Sequence, residues 1–286
     1  MFRKFIIHNL PLTRIKIGIA KILYLFVTPF YGKKPRIIEQ NGIKFEVDLS
    51  EGIDLSLFLF GNFQKHVTNN KLISLPKDAT IIDIGANFGV MSLQFAKIAS
   101  EGKVYAFEPT HYALGKLKRN LELNPEIAKR IEVINSFLSA KSAANADIKA
   151  YSSWKVNDEK SNDMHPEHQG AAKSTEGVGA MSLDDFTKSK QLNKLDFIKI
   201  DTDGHEYEIL QGARETFAKY RPQLIFEIGL YVMTEKNIDF TFYSNYFKDL
   251  NYCMYDSTSS KVITLENHKE YIPKKGTIDI IAKPLN

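Results

Sequence analysis

From Thr80 onward, short apolar runs alternate with segments that are apolar at helical spacing. The runs Thr80–Ile84, Lys103–Phe107, Ile131–Ile134, Leu195–Ile200 and Gln223–Ile228 read as buried strands. Between and after them, Phe88–Ala99, Tyr112–Leu123, Glu206–Phe217 and a stretch near Phe240–Leu250 read as amphipathic helices. Buried strands alternating with such helices predict an α/β fold with a mostly parallel, doubly wound sheet covered on both faces. A closing pair around Tyr252–Tyr255 and Thr277–Ala282 is expected to add an antiparallel edge.

Upstream the pattern changes. Residues 41–49 alternate apolar and polar positions after an Asn-Gly turn signal, as a small hairpin or edge strand would. Residues 51–61 mix two acids with an aromatic-rich helical segment, read as core packing or as a cover for the ligand turn that follows. Residues 11–31 place Ile15, Ile19, Ile22 and Phe26 at helical spacing, but Arg14, Lys16 and Lys21 interrupt the run and Pro29 ends it. That helix is too short and too charged to span a bilayer, and it lacks the uninterrupted apolar centre of a secretory signal. It is expected either to pack on the domain or a partner subunit, or to lie on anionic lipid. Between residues 140 and 180 the composition turns to Ser, Ala, Asn, Asp, Lys, Gly and His around the single tryptophan, Trp154. Such a long insertion reads as a substrate-side lid or a merely mobile loop. The expected organisation is a basic arm, 1–40, and one catalytic domain, 41–286, carrying the 140–180 insertion.

Charge sharpens this division. Residues 1–38 hold eight Lys/Arg and no Asp or Glu, so the remaining 30 basic and 34 acidic residues leave the body at −4 although the chain carries +4. A nucleic-acid binder would concentrate basic residues on its recognition surface, so nucleic acid is not an expected partner. One cysteine, Cys253, rules out an intrachain disulfide framework and a four-cysteine metal site, and suits a reducing, cytoplasmic compartment.

The candidate chemistry begins at Ile81-Ile82-Asp83-Ile84-Gly85-Ala86-Asn87-Phe88-Gly89. Small residues Gly85, Ala86, Asn87 and Gly89 let the backbone approach a ligand, and the following helix start offers free N–H groups. Asp83 would repel a pyrophosphate and attract the ammonium of an amino-acid-like ligand. D-x-G-x-x-x-G also departs from the dinucleotide fingerprint G-x-G-x-x-G. The next strand ends Phe107-Glu108-Pro109, placing Glu108 where a carboxylate can accept both ribose hydroxyls of an adenosyl ligand. Farther on, Asp201, Asp203, His205 and Glu206 crowd one strand end within six residues, with Glu227 ending the next strand on the same rim. These could equally cap the helix and orient the turn.

The blocks IIDIGANFG, VYAFEP, LKRNLELN, FIKIDTDGHEYEILQGA and RPQLIFEI, in this order, resemble the FkbM-type methyltransferases, a branch of the class I S-adenosylmethionine-dependent fold. The resemblance covers roughly residues 41–138 and 180–230. It implies a seven-stranded sheet and S-adenosylmethionine held by Asp83, Gly85, Ala86, Asn87, Gly89, Glu108, Pro109, Ser136 and Asp201. It also implies O-methylation, usually of a sugar or polyketide hydroxyl. The acidic residue that usually follows the family's I-D-x is here Asp203, one carbon shorter than the usual Glu. His205 is then the expected general base, with Asp203 or Asp201 orienting it and Glu227 binding a neighbouring acceptor hydroxyl. Asp201, Asp203 and Glu227 also offer oxygen ligands for Mg²⁺, which would lower the acceptor's pKa in place of a base. The leading expectation is an O-methyltransferase of a surface glycan, nucleotide sugar or lipid-linked saccharide, peripheral on the inner face of a membrane through residues 1–36. N-methylation of an amino sugar or amino acid, and a non-catalytic adenosyl-binding scaffold, are the alternatives.

Overall fold

A computed structural model of the chain describes residues 12–32, 34–61, 63–144, 148, 150–152, 156, 171–274 and 276–285. Trp154 and most of the 140–180 insertion lie outside the described residues, as do the first eleven.

In chain order the main elements are helix α1 (Leu12–Tyr31), the hairpin β1 (Arg36–Gln40) and β2 (Ile43–Val47), and helix α2 (Gly52–Phe60). Strand β3 (Thr80–Ile84), helix α3 (Val90–Ile98), strand β4 (Lys103–Phe107), helix α4 (His111–Glu122) and strand β5 (Ile131–Ile134) follow. After the insertion come helix α5 (Leu183–Ser189), strand β6 (Phe197–Ile200), helices α6 (Glu206–Gln211) and α7 (Arg214–Tyr220), and strand β7 (Gln223–Ile228). Helices α8 (Leu230–Glu235) and α9 (Phe240–Asp249) lead to strands β8 (Tyr252–Asp256) and β9 (Ile278–Pro284).

Seven strands form one sheet in the order β8-β9-β7-β6-β3-β4-β5. The pairs from β7 through β5 are parallel, and only β9 runs against its two neighbours. The fold class expected from the alternation is the one observed. The closing pair is antiparallel, as expected, and the last strand, β9, lies between β7 and β8 with Ile280, Ile281 and Ala282 buried. The helix expected over Glu206–Phe217 is broken at Gly212, where a Cβ would lie 2.2 Å from the Ser139 carbonyl oxygen. The chain bends there to let the segment after β5 pass.

Two cores flank the sheet. One side is aromatic: Phe217 meets the rings of Tyr246, Phe247 and Tyr252 edge-on. The other is largely aliphatic and packs α3 and α4 under the hairpin. What joins hairpin to body there is polar. Asn124 accepts from the Lys44 N–H and donates to its carbonyl. Fully buried Asn120 accepts from the Glu46 N–H at 2.8 Å and donates to the Phe88 carbonyl at 2.8 Å, fastening the ligand turn to the hairpin. Beside them Lys116 on α4 reaches Glu51 and Asp54 at 2.9 and 2.7 Å, so α2 is pinned into the core rather than spread over the ligand turn. Burial, opposed by Lys116, pushes the Asp54 carboxyl up to about 6.

Replacing Asn120 by Ala strands one backbone donor and one acceptor in the interior, so denaturant unfolding should show a loss on the order of 3 kcal/mol. A loss below about 0.5 kcal/mol would place the attachment of the hairpin elsewhere.

Candidate active site

At the carboxyl ends of β3, β4 and β6 a cleft of about 560 Å³, counting its open mouth, lies over the sheet. It has the size of a cofactor or small-molecule site. Of the residues expected there, Gly85, Asn87, Glu108, Pro109, Ser136, Asp201, Asp203 and His205 line it. Asp83, Ala86, Gly89 and Glu227 are not among its lining residues. The lining adds Phe107, Phe137, Leu138 and Ile209, which give part of the cleft an apolar floor.

The turn after β3 comes close to the turn after β6. Gly85 adopts φ 78°, and a Cβ there would lie 1.9 Å from the Asp201 carbonyl oxygen. No other residue type fits without moving one of the two turns. Gly85 and Ala86 donate their N–H groups to the Phe107 carbonyl, and Asn87 donates its own to Glu108 at 2.9 Å. Glu108 also accepts from the Thr110 N–H and hydroxyl at 2.8 and 2.6 Å. Three of roughly four lone-pair positions are therefore taken inside the protein. The carboxylate lines the cleft with one of these positions unused by the protein. Burial pushes its carboxyl up, against the pull of those donors.

Asp83 differs more. It is fully buried below the turn, where it accepts from Ser92 Oγ at 2.5 Å. Lys199 Nζ lies 3.6 Å from its other oxygen. A direct contact with a ligand's ammonium is closed to it; it acts through the turn it supports. Lys199, only 4% exposed, sits between Asp83 and Asp201, with Nζ 3.2 Å from Asp201 Oδ2. Burial works against its charge, but the two carboxylates outweigh it and hold the ammonium protonated. Burial likewise raises Asp201, yet Lys199 and Gln64, which donates to Oδ2 at 2.7 Å, bring it below the ordinary carboxylate value. Lys199 and Gln64 were missed in the sequence. The signal for Lys199 was a lone cation inside the otherwise apolar strand run Phe197-Ile198-Lys199-Ile200, since a buried lysine needs a charged partner.

The acidic rim divides by role. Glu206 is buried and accepts from the Thr202 N–H and hydroxyl, both at 2.9 Å, so it shapes the turn from within. Asp203 stands at the mouth with φ 53°. Loss of water on its cleft side and the charges of Asp201 and Glu206 push its carboxyl up toward about 7, an effect that its exposure to solvent at the mouth weakens. Glu227 accepts from the Thr277 hydroxyl and pairs across the ladder with Asp279; burial and the same carboxylates raise its pKa. Ser136 is spoken for by backbone carbonyls of Phe137 and Gly179. His205 lines the cleft immediately before α6. Among the described residues, no group of three or more His, Cys, Asp or Glu is set to hold a metal ion.

A model of the FkbM methyltransferase domain matches residues 83–254, more than half the chain and the whole of this site. The chain belongs to the FkbM methyltransferase family. It is 27% identical over 167 residues to the methyltransferase sdnD of Sordaria araneosa, covering 50% of this chain and 64% of that protein. To methyltransferase 1 of Beauveria bassiana it is 26% identical over 149 residues, covering 48% of this chain and 59% of that one. It thus spans less than two thirds of either relative. Among solved structures, the FkbM methyltransferase of Methylobacillus flagellatus is 18% identical with a TM-score of 0.46, over 73% of this chain and 45% of that one. Every residue that lines the cleft, from Ile84 to Ile209, falls within the matched stretch.

The rim yields a pH test. The Asp203 carboxyl is raised from 3.8 toward about 7 in the fold, and because the group is exposed only a small part of that shift reaches stability. The stability this lends is present below the lower value and is lost as pH rises through the upper one. Asp203→Asn keeps a side chain tolerant of the left-handed backbone and removes the charge. Thermal unfolding should show the variant about 2 °C more stable than wild type near pH 8 and equal to it near pH 4. An equal difference at both values would mean that charge crowding is not the cause.

Proposed function

We propose that this FkbM methyltransferase takes S-adenosylmethionine as its donor and O-methylates a sugar hydroxyl of a surface glycan, nucleotide sugar or lipid-linked saccharide. The observation that carries the reading is the cleft itself, in which the Gly85 turn and Glu108 face Asp201, Asp203 and His205 across one continuous space. The residues fit an adenosyl donor. A backbone cradle that excludes a Cβ at Gly85 and an apolar floor suit the flat base, and Glu108 keeps one acceptor position for a ribose hydroxyl. When bound, the donor would supply a methyl group activated by its positive sulfonium sulfur.

The protein's share is alignment and proton removal. Alignment alone is worth several kcal/mol of barrier. His205 would accept the acceptor's hydroxyl proton as the C–O bond forms and the methyl's bond to the sulfonium sulfur breaks, and Asp201, held ionised by Lys199, would steady the charge that develops on the imidazole. Asp203 offers hydrogen bonds to neighbouring hydroxyls of a polyhydroxylated acceptor, with Glu227 behind the lining. The excess of carboxylates on this rim disfavours an acceptor whose anionic group must enter the cleft, so a nucleotide sugar would have to leave its phosphates outside. The same excess favours a second reading, N-methylation of an amino sugar, which the linkage of the methyl group in the product distinguishes.

His205→Ala should lower methyl transfer to a saccharide acceptor pool at least about 100-fold while donor affinity by calorimetry stays within about threefold. Full turnover with normal donor binding would remove His205 as the base, and donor binding without turnover on any acceptor would revive the scaffold reading.

A further inference from the structure

The face of α1 turned away from the body remains to be explained. Tyr24 and Val27 are buried against the aliphatic core, and Tyr31 meets Phe58 of α2 edge-on at 5.0 Å. On the other side Ile19, Ile22, Leu25, Phe26 and Phe30 form an apolar arc, with Leu25 and Phe26 each 70% and Phe30 85% exposed. At 100° per residue these five positions span less than half the helix circumference, a continuous stripe along a helix about 30 Å long. Single exposed apolar residues need no explanation, but a stripe of five does.

We propose that this stripe docks on the surface of an anionic lipid bilayer, with the helix lying in the interface. The choice of occupant rests on charge. Residues 1–38 bring eight Lys/Arg and no acid, while the rest of the chain is net negative. Lys21, on the helix, and Lys34, just beyond it, are both exposed. An anionic surface attracts this segment and repels the body, which sets the helix against the membrane and the catalytic sheet away from it. A second copy of the same helix would instead bring two basic segments together. Among the described residues no helix is long and apolar enough to cross a membrane, so the contact is peripheral. The inference is independent of the methyl-transfer reading, because it uses none of the cleft residues.

The test is co-sedimentation of the full chain with phosphatidylcholine vesicles, with and without phosphatidylglycerol, in the absence of donor and acceptor. The chain should sediment with the anionic vesicles only, and salt should weaken the binding. The Phe26→Asp/Phe30→Asp variant should bind at least about tenfold more weakly, whereas Val262→Asp, at an exposed apolar position elsewhere, should bind as wild type does. Equal sedimentation with both vesicle types, no sedimentation with either, or undiminished binding by the double variant would overturn the proposal. So would light scattering that shows an oligomer dispersed by the same two substitutions, which would assign the stripe to a second copy.

Discussion

A buried ammonium between two carboxylates holds this site together. Lys199 lies on β6 directly across the ladder from Asp83 on β3, and its Nζ reaches both Asp83 and Asp201. An uncompensated charge in that position would cost several kcal/mol, so Lys199 and Asp83 are buried only with each other and with Asp201 at the cleft's edge. Their pairing fixes where β3 and β6 end relative to each other. The close approach of Gly85 to the Asp201 carbonyl follows from it, and so does the single cleft shared by the two turns.

On this frame the two halves of the cleft are specialised by how far their carboxylates are already satisfied. On the β3–β4 side Glu108 already accepts three hydrogen bonds from the protein, and Asp83 lies buried beneath the turn beside Ser92 and Lys199. On the β6–β7 side the acids crowd one another, and the carboxyls of Asp203, at the mouth, and of Glu227, which lies outside the cleft's lining, are both raised. His205 lines the cleft alongside Asp201 and Asp203.

Much of the sheet was legible because buried parallel strands must be apolar on both faces, and β3, β4, β6 and β7 are short runs of that kind. The strand order followed less directly. Nothing local in Ile278–Pro284 says that it inserts between β7 and β8, since pairing partners are chosen by the whole sheet. In the site, residue type and strand position located the cleft, but the state of each carboxylate was not readable. Asp83 looked like a ligand contact because it ends a strand at the right edge; its side chain points below the turn because Ser92 and Lys199 supply partners there. Gln64 could not have been found, since it lies 137 positions from Asp201 and reaches it only through the fold.

The most direct measurement is a calorimetric titration of S-adenosylmethionine into Lys199→Met, with circular dichroism to show that the variant is folded, alongside the double variant that adds Asp83→Asn. If the buried lysine holds the donor turn in place, the single variant binds at least about tenfold more weakly than wild type. The double variant, no longer burying an unpaired carboxylate at position 83, then recovers part of that loss. A folded Lys199→Met protein with wild-type donor affinity would contradict the account.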